Sequence, residues 1–119
     1  MERTTAGFAV ERHFVGKDAI VRRIYDRLTE ALGALGPITE EPKKTSIHLV
    51  NATALAGVAT RRDYLILTVK GDRELMSPRI RKTERVSARR FHHELKLTSP
   101  ADVDEELIGW LREAYSLSA

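Results

Sequence analysis

Histidine is the residue type in this sequence best suited to chemistry, and two of the four histidines are neighbours in one strand-like segment. Residues 91–97 read FHHELKL, so apolar and polar side chains alternate, with His93 on the apolar side and His92 on the polar side. An imidazole can act as a general base or bind a ligand near neutral pH. On an apolar face, a neutral core histidine with hydrogen-bonded ring nitrogens is the simpler interpretation, and we favour it for His93. The alternative is an enzymatic pocket in which His93 works with Lys44 or Asp63.

The other histidines give little support for a metal site. His48 and His92 are both predicted to point to the outer face of a sheet, but a zinc site needs three or four ligands and the chain has no cysteine. Gly16-Lys17 lacks the rest of a phosphate-binding loop, and no dinucleotide-binding glycine pattern occurs. The acids of residues 102–106 fall at a predicted helix start, where carboxylates favour the positive helix end. The sequence therefore predicts no metal, no cofactor and no catalytic residue.

A dense basic segment is the strongest charge feature of the chain. Residues 79–90 hold six Lys and Arg residues against a single acid, Glu84. A guanidinium group binds two oxygens of a phosphate or carboxylate at once, so this segment suits an anionic ligand or partner. In the alternative, its arginines pair with the acidic C-terminal helix or with another subunit. The candidate ligand-binding residues are Lys44, Arg79, Arg81, Lys82, Arg85 and His93.

Composition limits the class of protein. The chain has 119 residues, a formal net charge of +3 and no cysteine, which predicts one domain without disulfides and fits a reducing compartment. No apolar run reaches the ~20 residues of a membrane span, and the N-terminus lacks the pattern of a signal peptide. We therefore expect a cytoplasmic protein with no membrane contact.

Charge is unevenly distributed along the sequence. Residues 61–97 hold eleven basic and five acidic residues, whereas residues 98–119 hold one basic and five acidic residues. The modest net charge of +3 and the acidic C-terminal part argue against specific nucleic-acid binding.

Hydrophobic periodicity predicts an α+β fold. Apolar residues at three- and four-residue spacing predict helices near residues 17–35 and 101–116, with Trp110 among the most buried side chains. Period-two alternation and small apolar runs predict four strands, at Thr45–Val50, Leu55–Thr60, Tyr64–Val69 and Phe91–Leu97. The expected architecture is a four-stranded antiparallel sheet, a meander plus one strand, with the N-terminal and C-terminal helices packed on one face.

The segments outside these elements lack a clear pattern. Residues 38–44 are predicted to be a connector, and residues 74–90 are predicted to be irregular, with a short helical turn opened by Ser77-Pro78. Residues 1–12 are predicted to be a disordered tail. The remaining residues, 13–119, are expected to form a single domain.

The two faces of the predicted sheet differ in character. If both helices cover one face, the other carries Ser46, His48, Tyr64, Ile66, Thr68, His92, Glu94 and Lys96. This outer face is more apolar than a solvated face requires, which is typical of an interface. We therefore expect a homodimer in which the outer faces meet. In the alternative, the N-terminal residues with Phe8 and Val10 cover the outer face and the protein is a monomer.

Four stretches of the chain together resemble a bacterial protein family. They are HFVGKD before the first helix, LGPITEEPKKTSIHL at the first strand, RRDYLIL in the third strand and RFHHELKLTSPADVDEELIGWLREAY at the end. From His13 to Tyr115 the sequence is similar to the uncharacterised family called domain of unknown function 5655. The resemblance places Lys17, Lys44 and His93 at motif positions, but it implies no catalytic residue because the family has no established active site. Some members carry the label of predicted transport protein, which implies no mechanism.

These features predict a small domain that binds an anionic ligand or partner without catalysis. The binding surface would be formed by Lys44 and the basic residues of segment 79–90. A small enzyme with a pocket around His93 and Lys44 is one alternative, and a homodimerisation module is another. The sequence leaves open whether the protein is an enzyme, although no catalytic motif favours one.

Overall fold

An antiparallel sheet with two helices makes up the fold. The structure is a computed structural model that describes residues 9–119. In chain order its elements are a 3-10 helix at Val10–Phe14, α1 at Ala19–Leu35, β1 at Thr39–Pro42, β2 at Ile47–Val50, β3 at Ala54–Thr60, β4 at Leu65–Gly71, β5 at Ile80–Ser87, β6 at Arg90–Leu97, a 3-10 helix at Pro100–Asp102 and α2 at Glu105–Leu117. The strand order is β1-β2-β3-β4-β6-β5, and all neighbouring strands are antiparallel. The predicted α+β class is confirmed.

The hydrophobic core lies between the helices and one face of the sheet, which we call the inner face. Successive side chains of a strand point to opposite faces, so alternate residues of each central strand enter the core. The buried residues of the inner face in β2, β4 and β6 are Ile47, Leu49, Leu65, Leu67, Val69, His93, Leu95 and Leu97. Helix α1 contributes Val21, Ile24 and Leu28 to the same cluster, and α2 contributes Leu107 and Leu111. The helices therefore leave the opposite, outer face of the sheet uncovered among residues 9–119.

The sheet has six strands within residues 9–119, so the prediction of four strands was wrong. The additional strands β1 and β5 lie at opposite edges of the sheet. They read TEEP and IRKTERVS, and most of their side chains are exposed. Charged residues and proline suit edge strands because they discourage pairing with another chain, but they remove the period-two apolar signal. For this reason residues 38–44 and 74–90 were wrongly expected to lack regular structure.

The segment between β4 and β5 makes a tight turn instead of the predicted short helical turn. The backbone N–H of Ile80 donates to the carbonyl of Ser77 at 3.1 Å, which closes a turn around Pro78. The N–H of Arg79 also donates to the Ser77 hydroxyl at 3.2 Å. A serine hydroxyl that binds the backbone two residues on is a common turn-forming device. The turn delivers the chain directly into β5.

Helix α2 begins later than the sequence pattern indicated. Ser99 and Asp102 form a capping box, but it caps the short 3-10 helix Pro100–Asp102. The side chain of Asp104 then caps α2 by accepting the N–H of Leu107 at 3.1 Å. Two caps in sequence give the chain a bend between the short helix and α2.

Trp110 is half-buried, so the prediction that it would be among the most buried side chains was wrong. The fully buried stripe of α2 runs through Leu107, Leu111 and Ala114. Each helical residue is turned by about 100° from the preceding one, so Trp110 falls at the border of this stripe. Its ring packs against the edge of the core cluster while part of it faces solvent.

The ends of the two helices meet at Gly36, which follows α1. Gly36 has a φ of +157°, and a Cβ at this position would clash with the phenol ring of Tyr115. The Tyr115 hydroxyl donates to the carbonyl of Pro37 at 2.9 Å. Glycine is therefore needed here for close approach between the end of α1 and helix α2.

The start of the described chain is structured. The tail predicted for residues 1–12 lies largely outside the described residues, as does Phe8, whereas Val10–Phe14 form a 3-10 helix. Val10 and Phe14 pack against the hydrophobic core. Across residues 9–119, no helix combines the length and the apolar character required to cross a membrane.

Candidate functional site

His93 is a core residue with both ring nitrogens occupied by the backbone. It is fully buried, and its Nε2 accepts the N–H of Leu75 at 3.0 Å while its Nδ1 lies 3.2 Å from the carbonyl oxygen of Val69. An amide can only donate and a carbonyl can only accept, so these partners require the neutral tautomer with the proton on Nδ1. The ring also stacks with Phe91, with centroids 6.1 Å apart. No ring nitrogen of His93 is left over to contact a ligand.

The residues of the predicted enzymatic pocket are not brought together. Lys44 is exposed in the turn between β1 and β2, whereas His93 lies in β6 with β3 and β4 between. Asp63 is exposed in the turn between β3 and β4. A general base needs hydrogen-bond reach to the group that it deprotonates, and this arrangement supplies no shared cleft for the three side chains.

The first arginines of the basic segment are engaged with the protein's own acids. Arg79 Nη1 contacts Asp104 Oδ1 at 2.8 Å and Glu106 Oε1 at 3.1 Å, and its Nη2 donates to the carbonyl of Asp102 at 2.6 Å. This guanidinium therefore joins the start of β5 to the start of α2. Arg81 Nε lies 3.3 Å from Glu94 Oε2 on the neighbouring strand. Arg79 therefore has little capacity left for an external anion, whereas Arg81 is paired through Nε alone.

The later residues of the segment are more exposed. Lys82 lies on the outer face of β5, opposite Glu94. Arg85 donates to the carbonyls of Ser87 and Ala88 and lies over the ring of Phe91, with the guanidinium carbon 5.8 Å from the ring centroid. The candidate binding residues of the segment are thus spread along an edge hairpin and do not converge on one point.

A depression on the outer face of the sheet brings together a different set of polar groups. Its volume is about 310 Å³. This volume is near the lower end of the size range of small-molecule sites. The lining residues that matter below are Ser46 just before β2, His48 in β2, Gly57 and Ala59 in β3, Ile66, Thr68 and Lys70 in β4, and His92 in β6. We call this surface the outer-face depression.

The small residues of β3 form the floor of the outer-face depression. Gly57 pairs with His48 on β2 and with Thr68 on β4, so these two side chains flank a position that has no side chain. The flanking strands are roughly 10 Å apart, because adjacent strands are spaced by ~4.8 Å. Ala59 extends the same floor beside Ile66. The resulting concavity has an apolar floor between polar walls.

Lys70 gives the outer-face depression its positive charge. It pairs in register with His92 and interacts electrostatically with both His48 and His92. Burial, followed by the charges of Lys43 and Lys70, lowers the pKa of His48 below its ordinary value of 6.5. Burial and then Lys70 lower the pKa of His92 as well, although Glu84 opposes this shift. At neutral pH the wall therefore carries one ammonium group beside two neutral imidazoles.

Several polar groups of the outer-face depression have no partner within residues 9–119. The side chains of Ser46, His48, Thr68 and Lys70 make no hydrogen bond or ion pair to that part of the chain. His92 has only a long contact, 3.9 Å from its Nδ1 to Glu84 Oε1. Two hydroxyls, two imidazoles and one ammonium group are thus free to bind a ligand. This donor-rich set suits an anionic group.

The same groups are poorly suited to other chemistry. No cluster of three or more His, Asp or Glu side chains in residues 9–119 could hold a metal ion. No carboxylate is among the lining residues of the outer-face depression, although Glu84 lies 3.9 Å from His92 and Glu41 pairs in register with His48. The arrangement can hold and position an anion, and within residues 9–119 no hydroxyl of the outer-face depression is hydrogen-bonded to an imidazole.

A second, wider surface depression of about 700 Å³ runs along α2. Its lining includes Gly109, Trp110 and Arg112, and its acid Glu113 forms a two-pronged contact with Arg73 at 2.7 Å and 3.2 Å. Although it is larger, this surface is open and its acid is already paired. The smaller outer-face depression is the better candidate because most of its polar groups have no partner within residues 9–119 and converge on one floor.

Sequence reasoning placed His48 and His92 on the outer face but missed Lys70 and Gly57. Lys70 fell just beyond the strand predicted at Tyr64–Val69, and its position opposite His92 depends on the pairing of β4 with β6. Gly57 lies in a run of small residues without a polar–apolar alternation, so its face could not be assigned. The available signal was the strand glycine itself, because glycine weakens a strand and often marks close approach of another group.

Comparison with known proteins identifies the family of the chain and nothing about its activity. No curated protein and no solved structure matches the sequence. The sequence pattern of the family described as Domain of unknown function (DUF5655) matches residues 10–118, which is nearly the whole length. That description does not mention transport. The extent of this match shows that the chain belongs to the DUF5655 family.

Proposed function

We propose that this protein is a binding module for an anionic ligand, and that the outer-face depression is its binding site. The observation that carries the proposal is the unpaired ammonium group of Lys70 between His48 and His92, above a floor without side chains at Gly57. A ligand carboxylate or phosphate oxygen would bind Lys70 and accept hydrogen bonds from the surrounding hydroxyls and imidazoles.

The electrostatics of the outer-face depression favour an anion over a neutral ligand. Burial, followed by Lys43 and Lys70 at His48 and by Lys70 at His92, lowers the pKa of both imidazoles, which means that the site resists further positive charge while it is empty. An anion bound beside Lys70 would cancel this repulsion, so the imidazoles would accept protons more readily. Because Lys70 is partly shielded from solvent, its attraction for an anion is screened less by salt than that of a fully exposed lysine.

The basic segment is the less favoured location for the same function. Arg79 and Arg81 already contact the protein's acids, which leaves Lys82 and Arg85 as the exposed cations among the predicted binding residues of β5. Exposed charges on an edge hairpin would attract an acidic partner weakly and in a salt-dependent way. In our proposal the basic segment therefore links β5 to α2 and adds to the positive electrostatic potential around the protein.

Homodimerisation through the outer face is a second candidate function. The observation in its favour is the apolar end of the outer-face depression, formed by Ala59 and Ile66, although only 8% of Ile66 is left exposed for such a contact. A twofold contact would place this patch against its own copy. A twofold axis passing close to Lys70 would also bring Lys70 of both subunits near each other, and like charges across an interface are unfavourable. We therefore rank ligand binding above dimerisation.

A cytoplasmic, non-catalytic setting completes the proposal. The absence of cysteine in the sequence supports a reducing compartment. An enzymatic function with His93 and Lys44 stays an alternative without a structural observation in its favour, since the two residues lie in distant parts of the sheet.

The proposal is tested by an NMR titration of the full chain with three anions: acetate, inorganic phosphate and 2-naphthoate. We expect at least one of them to shift the backbone signals of His48, Gly57 and Lys70 in a saturable way. Lys70→Met removes the charge but keeps an apolar stem, and we expect it to weaken the binding at least tenfold. Lys82→Met removes an exposed charge from the outer face of β5 and should leave the affinity within twofold.

Two results would contradict the proposal. The first is that none of the three anions produces saturable shifts at the outer-face depression. The second is that Lys70→Met and Lys82→Met weaken binding equally, which would indicate attraction by the overall field. Light scattering on the same samples measures the dimer alternative: a dimer that Ile66→Lys converts to a monomer would favour dimerisation, and a monomer at every concentration would exclude it.

A further inference from the structure

Gly57 is a strand glycine without a structural reason inside the described chain. The pairing of β3 is regular around it, with His48, Gly57 and Thr68 in one row, so it does not form a bulge. Its φ is not positive, and a Cβ added there would meet no atom within 4 Å. Glycine in the interior of a strand is destabilising relative to alanine, because glycine loses more conformational freedom on folding. A side chain at this position would occupy only the outer-face depression.

The outer-face depression combines this open floor with a single full charge. Lys70 is the one lysine among its lining residues, and these include no arginine. The backbone N–H groups beneath the floor are engaged in the ladders that join β3 to β2 and β4. The remainder of the floor is apolar, formed by alanines and Ile66. The site therefore matches a ligand with one negative charge and an apolar part.

We infer that the ligand is a small monocarboxylic acid with a flat hydrophobic body, which lies on Gly57 while its carboxylate binds Lys70 between His48 and His92. This inference rests on the proposed anion-binding function and specifies the ligand class. The hydrophobic body replaces water above Gly57, Ala59 and Ile66, which is favourable in proportion to the apolar area covered.

The lining distinguishes a carboxylate from a phosphate. Phosphate sites in proteins draw on arginine forks or on several free backbone N–H groups, for example at the start of a helix. The outer-face depression offers neither, and its charge of one ammonium group balances one carboxylate. Its volume of about 310 Å³ corresponds to about ten water molecules at ~30 Å³ each. A one- or two-carbon acid would leave most of that space filled with water.

Four probes separate charge from hydrophobic body. They are 2-naphthoate, which has both; acetate, which has the carboxylate only; 2-naphthalenemethanol, which has the ring only; and inorganic phosphate. We expect 2-naphthoate to bind the full chain at least tenfold more tightly than each of the other three, with shifts at His48, Gly57 and Lys70. Binding is measured by NMR titration at one fixed salt concentration, because the electrostatic part depends on salt.

Substitutions at Gly57 test the floor directly. Gly57→Ala and Gly57→Val place one and three carbon atoms in the outer-face depression without meeting another atom of the described chain at the Cβ. Valine also favours strands, so the fold should be retained. We expect the affinity for 2-naphthoate to fall by about threefold for alanine and by more than tenfold for valine. Gly33→Ala is the matched control, because a Cβ on this α1 residue also meets nothing within 4 Å.

The outcomes distinguish the ligand class from the proposed function. Phosphate or acetate that binds the outer-face depression as tightly as 2-naphthoate would overturn the inferred class while leaving anion binding intact. No saturable shift with any probe would overturn both. Undiminished 2-naphthoate binding by Gly57→Val would place the ring elsewhere and overturn the inference. If Gly57→Val does not fold, Gly57→Ala gives the same test with the smaller expected loss of affinity, because its added Cβ enters only the outer-face depression.

Discussion

His92 and His93 are adjacent in the sequence and lie in opposite regions of the molecule. His93 points to the inner face, where two backbone groups use both of its ring nitrogens and no part of it is exposed. His92 points to the outer face, where it borders an open depression and has only a long contact with Glu84. Residue type therefore predicts neither role. The role of each histidine depends on whether the polar atoms of its side chain already have partners within the protein.

The same contrast separates the two faces of the whole sheet. On the inner face the central strands contribute to a core that the helices close, and the polar group buried there is satisfied. On the outer face Lys70, His48 and two hydroxyls lack partners among residues 9–119. The inner face thus accounts for stability, and the outer face is where we propose that binding occurs.

The largest expected effect comes from removing the imidazole of the inner face. His93→Ala leaves the N–H of Leu75 and the carbonyl of Val69 without their partner and opens a cavity, so we expect a loss of about 2–5 kcal/mol in the free energy of unfolding. His92→Ala is the matched control on the outer face, with an expected change within about 0.5 kcal/mol. Urea denaturation measures both. Equal losses for the two variants would break the distinction between the faces.

A smaller effect is expected at the edge of the sheet. Arg79 joins β5 to three oxygens at the start of α2, and its side chain is only 26% exposed. We expect Arg79→Ala to cost about 1–2 kcal/mol of unfolding free energy, because it removes charge-assisted hydrogen bonds. Lys82→Ala, on the outer face of the same strand, should change it by less than about 0.5 kcal/mol. If Arg79→Ala leaves the free energy of unfolding unchanged, the contacts of Arg79 do not stabilise the fold, and its guanidinium group would be available to an external partner.

The smallest expected effect is the response of stability to acid. The pKa values of His48 and His92 are lowered in the folded protein, first by burial and then by cations, which are Lys43 before Lys70 at His48 and Lys70 at His92; Glu41 and Glu84 oppose the shifts. The unfolded chain therefore binds protons first as the pH falls below 6.5, which lowers the stability from that pH downwards until the folded-state pKa values are reached. Above this window the two groups contribute no pH dependence.

The double variant His48→Gln/His92→Gln isolates this contribution. We expect its melting temperature to fall less than that of the unmodified protein between pH 7 and pH 5, because the two residues no longer titrate. Thermal unfolding followed by circular dichroism across this range measures the difference. Parallel pH profiles for the two proteins would show that these imidazoles are not held neutral by Lys70 and burial.

The central sheet could be predicted from the sequence because its core strands carry a clear apolar pattern. Ile47 and Leu49 alternate in β2, and Leu95 and Leu97 continue the alternation in β6, so both strands were located and their buried faces assigned. The edge strands were missed because β1 and β5 pair on one side only and bear charged residues on both faces. Trp110 was misjudged because a shift of one helical residue moves a side chain from the centre of a stripe to its border.

The candidate site could be predicted only in part. His48 and His92 were assigned to the outer face from alternation alone. Their relation to Lys70 and Gly57 follows from the register of β2, β3, β4 and β6, which joins residues 48, 57, 68, 70 and 92 across four strands. Register is set by tertiary pairing and turn geometry, and no local pattern in the sequence specifies it. A site built across strands is for this reason less visible in a sequence than one built within a loop.

The most direct test of the account follows the imidazole signals of the histidines during a titration of the full chain with 2-naphthoate. His48 and His92 border the outer-face depression, whereas His93 lies on the other side of the same sheet with both nitrogens engaged. We predict saturable shifts for the rings of His48 and His92 and changes at least fivefold smaller for His93. Shifts of His93 equal to those of His92, or no saturable shift of His48 and His92, would contradict the assignment of binding to the outer face.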